Sequence, residues 1–138
     1  YNELICDLIH VSKGAVQLLV KCKKDKIILV TDCMSAGGLE DGNYMLGELD
    51  VIVKDSVAKL HDGTLAGSTL NLITAVKNIN KEVGVDLLDS VRMATINPAK
   101  ALKRDNQIGS IKNGKFADFI AVDDNFNIKF VMVNGVQK

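Results

Sequence analysis

Two side chains are placed for chemistry. Asp32 follows a β-branched, continuously apolar run, Ile27-Ile28-Leu29-Val30-Thr31, and precedes a glycine-rich loop. In parallel α/β sheets and barrels, ligands bind at the carboxyl ends of strands. A carboxylate there suits a general base, a general acid or a metal ligand; its structural alternative is a loop or helix cap. His10 follows a shorter apolar run, Leu4-Ile5-Cys6, in the same way. It can hydrogen-bond a substrate, exchange a proton or bind a metal, or it can serve as a structural hydrogen-bonding group. If the two runs are adjacent parallel strands, His10 and Asp32 emerge at the same end of the sheet.

Other candidates are weaker. Cys33 beside Asp32 suggests a thiolate with His10 as its base. Neighbouring strand residues point to opposite faces, so a packing role is expected instead. Leu65-Ala66-Gly67-Ser68 precedes a helical pattern. Small residues there let backbone approach a ligand, and free N–H groups favour oxygen atoms or anions; a tight turn with an N-cap fits equally well. His61, on a hairpin edge beside Asp62-Gly63, is expected to be solvated. Lys21, Lys23, Lys24 and Lys26 form a basic stretch interrupted by Asp25 and lacking aromatics, which suits a solvated helix end better than a nucleic-acid site.

The elements that must carry these residues are legible in outline. Strand, helix (residues 13–22, with Ser12 as cap) and strand (26–31) make a βαβ unit. Ala36-Gly37-Gly38 and Asp41-Gly42 mark a loop, and residues 49–53 and 57–60 read as a hairpin. Ser68 is expected to cap a helix over residues 69–83, with Leu70, Ile73, Val76, Ile79 and Val83 as its apolar stripe and Gly84 ending it. Asp86 caps a further helix whose apolar face is Leu87, Leu88, Val91 and Ala94. Asn97-Pro98 starts another, with Asn at the cap. Strands are expected at 109–111, 118–122 and 128–133, with turns at Asn113-Gly114 and Asn134-Gly135.

The chain has 138 residues, 47% hydrophobic and 25% charged, values of an ordinary globular domain and not of a disordered one. Seventeen basic and seventeen acidic residues cancel, so no general attraction to nucleic acid or anionic membrane is implied. No apolar run approaches the roughly 18 residues of a spanning helix, and no signal peptide is visible. Three irregularly spaced cysteines read as buried thiols in a reducing compartment, with the cytoplasm as default. The chain starts at Tyr1, without an initiator Met, as a processed product or a piece of a longer protein would.

The residues together resemble a known family. Leu29-Val30-Thr31-Asp32-Cys33-Met34, Gly38-Leu39, Asp41-Gly42 and Asp62-Gly63-Thr64-Leu65-Ala66-Gly67-Ser68 resemble the N-acetylglucosamine-6-phosphate deacetylases of the amidohydrolase superfamily. Arg92-Met93-Ala94-Thr95, Asn97-Pro98-Ala99 and the Gly109-x-Ile111-x-x-Gly114-Lys115-x-Ala117-Asp118 stretch fit the same family, as they fit many members of the superfamily. The resemblance spans nearly the whole chain. It implies an α/β fold: the C-terminal fragment of a (β/α)₈ amidohydrolase barrel, holding its last two βα units, plus strands of a small β-sandwich domain. A barrel alone takes about 250 residues. Residues 1–105 would belong to the barrel, with an inserted hairpin near 49–60, and residues 106–138 to the small domain.

By position, the resemblance makes Asp32 the catalytic acid/base, which takes a proton from a metal-bound water and returns one to the leaving amine. His10 would contact the sugar, and Leu65, Ala66, Gly67 and Ser68 would form the substrate loop. The family's divalent metal, zinc or iron, would be held by a Glu and two His upstream, so no metal ligand is expected in this chain. The implied substrate is an amino sugar phosphate, N-acetylglucosamine 6-phosphate, with no nucleic-acid or membrane partner and a homodimeric full-length protein. The fragment itself is expected to be inactive. Two departures stand out: Leu8 where the family has Gly in Ala-Asp-Gly-x-His, and Cys33 where Ala is usual. The alternatives are another metal-dependent amidohydrolase, such as a dihydroorotase or adenine deaminase relative, and a non-catalytic α/β module that binds sugar phosphates.

Overall fold

Strand β1 (Asn2–Ile5) and strand β2 (Ile27–Val30) pair in parallel, with Ile5 opposite Val30. Helix α1 (Lys13–Lys23) and a 3₁₀ turn (Lys24–Lys26) join them, completing the βαβ unit. The computed structural model describes residues 1–138, except for the side chain of Lys24. Ile27, Ile28 and Leu29 are all buried, so β2 is covered on both faces, as its unbroken apolar run requires. Each such side chain contributes about 1.5–3 kcal/mol on burial. Leu4, Cys6, Val16, Ile27 and Leu29 share one core with Leu70, Val76, Ile79, Met93 and Phe126.

A second, smaller core lies under a four-stranded antiparallel sheet, ordered β3 (Gly42–Leu46), β4 (Leu49–Lys54), β5 (Val57–Lys59) and β6 (Leu65–Ser68). Val51, Val53, Ala58 and Ala66 meet Met34 and Ala36 there. The expected hairpin is its centre, but the sheet is twice as large. Asp41-Gly42 opens a strand instead of ending a loop, and Leu65–Ser68 is itself a strand. Neither segment has strong β propensity; each becomes a strand because an edge of the hairpin is there to pair with it.

Helix α2 (Leu72–Lys77) starts later than expected. Asn71, not Ser68, is its cap, with Oδ1 accepting from the Thr74 N–H at 2.8 Å. The predicted single helix becomes α2 followed by a π-helical segment (Asn78–Glu82), and Gly84 ends it at φ +89°. The Asp86 cap of helix α3 (Leu87–Ala94) is as predicted, its carboxylate accepting from Leu88 N–H at 2.9 Å. Its buried face differs: Ser90 and Met93 point inward while Leu87, Leu88 and Val91 are exposed. Asn97 is not a cap. It sits inside helix α4 (Ile96–Ala101), buried, and its amide donates to the Ile27 carbonyl at 2.8 Å. That bond ties α4 to β2.

Strands β7 (Phe119–Val122), β8 (Ile128–Val133) and β9 (Val136–Gln137) form an antiparallel sheet. Asn134 and Gly135 turn the last hairpin with positive φ at both residues, as the Asn-Gly pair predicts. No strand forms at residues 109–111, where Ile111 is 85% exposed. The Lys115 ammonium instead gathers this loop, donating to Ser110 Oγ at 2.7 Å and to the Ile108 and Asp105 carbonyls. Of the three cysteines, all free, only Cys6 is buried. Cys22 and Cys33 are exposed, against expectation, because they fall on the outer side of α1 and just beyond the end of β2.

Candidate active site

Because β1 and β2 run parallel in register, the chain leaves both at the same end. Asp32 stands two residues past β2 with φ +47°, a left-handed conformation that Asp tolerates better than most residues. Its side chain is exposed at the rim of an open depression of about 500 Å³, lined by Glu3, Leu4, Ile5, Val11, Val30 and Asp32. Among the described residues, nothing bonds its carboxylate.

The backbone at Asp32 is held from the second sheet. Cys33 and Ser68 form a parallel bridge. Met34 N–H donates to the Ser68 carbonyl at 2.8 Å, and Ser68 N–H donates to the Asp32 carbonyl at 3.3 Å. Strand β6 is thus the brace of the Asp32 strand end. Within it, Ala66 and Ser68 are buried, Leu65 is partly exposed and Gly67 takes φ +103°. Ser68 Oγ accepts from the Leu70 N–H at 2.9 Å. The four residues form an extended strand here and not the turn that their small side chains suggested.

His10 lies past the end of β1 in a tight loop built by Asp7. Asp7 Oδ1 accepts from the backbone N–H groups of Ile9 and His10, each at 2.9 Å, and Oδ2 lies 2.6 Å from His10 Nδ1. Leu8, where a Gly was expected, adopts the glycine-like φ of +65°. Burial pushes the Asp7 carboxyl up, but the His10 and Ile9 N–H bonds and the His10 ring outweigh it and hold the group below the usual carboxylate range. The neighbouring Cys6 thiol is pushed up to about 12 by burial and by the Asp7 charge, so it stays protonated. His61 is exposed, as expected.

Sequence reasoning assigned no role to Asp7 or to Asn78. Asp7 carried a faint signal, since an Asp three residues before a His can fold back onto it. Asn78 carried none. Its amide donates to the Cys6 carbonyl at 2.9 Å from 72 residues away, at the start of the π-helical segment. Such segments recur at functional sites. Among the described residues, no three His, Cys, Asp or Glu side chains gather into a group that could hold a metal ion. Nor is any helix long and apolar enough to cross a membrane.

Three comparisons bear on this geometry. The Amidohydrolase family matches residues 8–138. The chain is 39% identical, over 98% of its length, to an N-acetylglucosamine-6-phosphate deacetylase of Vibrio furnissii, of which it covers 34%. It is 38% identical, over 96% of its length, to a putative N-acetylgalactosamine-6-phosphate deacetylase of Escherichia coli strain K12, of which it covers 80%. Its fold superposes with a TM-score of 0.96 on the crystal structure of an N-acetylglucosamine-6-phosphate deacetylase from Pasteurella multocida, at 37% identity, covering all of this chain and 36% of that one. The chain therefore spans about a third of the Vibrio and Pasteurella proteins.

Proposed function

The chain belongs to the amidohydrolase family, and from that membership we propose that it is the C-terminal portion of an enzyme that deacetylates N-acetylglucosamine 6-phosphate. The products are glucosamine 6-phosphate and acetate. In this reading residues 1–105 complete a (β/α)₈ barrel with other strands of the protein, and residues 106–138 belong to a small β-sandwich domain. The observation that carries the reading is Asp32: an unbonded carboxylate beyond the end of a buried parallel strand, its backbone braced by Ser68, in a chain matched along nearly its whole length by deacetylases.

Asp32 acts as base and then as acid. It takes a proton from the water that attacks the acetamide carbonyl. It then delivers a proton to the sugar nitrogen, because an amine leaves poorly unless protonated. Both oxygens are available for this, since the residue is held through its backbone. His10 hydrogen-bonds the sugar, and Leu65 to Ser68 line the substrate on the side of the second sheet. Among the described residues, no three His, Cys, Asp or Glu side chains gather to hold a metal ion. The reading assigns the divalent metal, zinc or iron, to ligands outside the 138 residues, and the isolated chain is accordingly inactive. The full-length protein is a cytoplasmic homodimer in this reading.

N-acetylgalactosamine 6-phosphate is a second candidate substrate. Identity to the Vibrio and Escherichia proteins differs by a single percentage point, so likeness does not separate the two C4 epimers. Assaying the full-length protein on both, with a divalent metal supplied, tests the reading. Turnover of either sugar that collapses in Asp32→Asn supports it. A wild type silent on both overturns it.

A further inference from the structure

The Asp7–His10 pair has a consequence for substrate contact that rests on the reading above, in which His10 touches the sugar. An ionised carboxylate only accepts hydrogen bonds. Asp7 is kept ionised by the three bonds it receives, two of them from backbone N–H groups that cannot turn away. The ring nitrogen 2.6 Å from Oδ2 must therefore carry a proton. Which nitrogen of a neutral imidazole is protonated is set by the bond the other makes. In the neutral ring Nε2, which has no partner among the described residues, is then the acceptor.

We propose that Asp7 is a positioning residue: it fixes the proton of His10 on Nδ1 and so presents Nε2 as the acceptor for a hydroxyl of the sugar phosphate. The loop is built to hold this state. Leu8 takes the left-handed turn that brings the ring back over the carboxylate. Asn78 holds the Cys6 carbonyl immediately before Asp7. The carboxylate side chain is 10% exposed and the ring 22%, so solvent competes weakly for the bond between them.

Asp7→Asn separates turn from tautomer. Its Oδ1 can still accept from Ile9 and His10 N–H, because only the oxygen accepts. The amide NH₂ then faces the ring, so Nδ1 must become the acceptor and the proton moves to Nε2. Full-length protein labelled with ¹⁵N in its histidine rings reads this directly above neutral pH, with His10→Gln assigning the signals. The expected result is a proton on Nδ1 in the wild type and on Nε2 in Asp7→Asn. With it comes a KM for the amino sugar phosphate raised about tenfold, the loss of roughly one hydrogen bond, and a kcat changed far less. If the Asn variant does not fold, Asp7→Ser keeps a short acceptor for the turn and loses the ring contact; it should show mixed tautomers and the same rise in KM. A wild type protonated on Nε2, or a tautomer unmoved by the substitution, overturns the proposal. So does an inverted tautomer with an unchanged KM. If no amino sugar phosphate is turned over by the wild type, yet the tautomer inverts as stated, the positioning role stands and the substrate reading fails.

Discussion

Ile5 and Val30 face each other across the parallel pair, and an aspartate stands two residues beyond each. The two carboxylates share a position in the register and have opposite surroundings. Asp7 is nearly buried and takes three hydrogen bonds from its own loop. Asp32 is exposed, with nothing bonded to its carboxylate among the described residues. Each strand end includes one left-handed residue, Leu8 in the first and Asp32 itself in the second. The first loop uses its carboxylate to close on itself. The second is closed from outside by the backbone of Ser68. Bracing through the main chain leaves both Asp32 oxygens free for the proton exchange proposed for it.

The contrast implies unequal costs. If Asp32 is the acid/base proposed above, Asp32→Asn should lower deacetylation by the full-length protein about 100- to 10,000-fold, the usual worth of such a group. Its melting temperature should barely move, since no bond to the side chain is lost and Asn also tolerates positive φ. An equally large loss of kcat in Asp7→Asn would erase the distinction between the two aspartates.

Ser68→Ala should destabilise by about 1–3 kcal/mol, because the buried Leu70 N–H loses its acceptor. Chemical denaturation measures this. The brace on Asp32 is a backbone bond and should survive, so kcat per folded molecule should fall far less than in Asp32→Asn, and the loss of a hydroxyl from the proposed substrate loop should appear in KM.

Asp7 should show in the acid limb of stability. Its folded pKa is lowered, so its contribution is complete above the ordinary carboxylate value near 3.8 and is lost as pH falls through the lower folded value. Asp7→Asn should flatten that limb, and a pH series of melting temperatures reads it. A limb unchanged by this substitution would mean that the loop bonds do not depend on charge.

Leu8→Gly should have the smallest effect. Relieving the left-handed strain gains about 1 kcal/mol, and removing a side chain packed on the core loses a similar amount. A net change within about 1 kcal/mol is expected. A larger stabilisation would show that strain at Leu8 dominates its packing.

The C-terminal region shows how a motif can be legible for a reason other than chemistry. Gly109, Lys115, Ala117 and Asp118 were part of the family resemblance, and all four have structural work. A Cβ on Gly109 would lie 2.7 Å from Ala99 Cβ and 3.0 Å from the Thr95 carbonyl, at a φ of +82°. Lys115 gathers the loop before it. Asp118 accepts from Asn134 N–H at 2.6 Å, and the Ala117 carbonyl accepts from Gly135 N–H at 3.1 Å. These contacts join the loop to α4 and to the last hairpin. Their spacing reads as a signature because the same backbone must be tied at the same points.

The local pattern by itself determined the βαβ unit, the Asp86 cap, the Gly84 stop, the central hairpin and the Asn134-Gly135 turn. It also placed Asp32 and His10 at strand ends. Each of these rests on interactions within a few residues, or on an apolar run long enough to demand burial. The tertiary structure alone decided the rest. Leu65–Ser68 became a strand because β5 and the Cys33 segment offered it partners, and Asn97 turned inward because the Ile27 carbonyl lay within reach. Asn78 came to hold the end of β1 across 72 residues of chain. Hydrogen-bond partners that far apart in sequence leave no periodicity to read, so only the folded packing could bring them together.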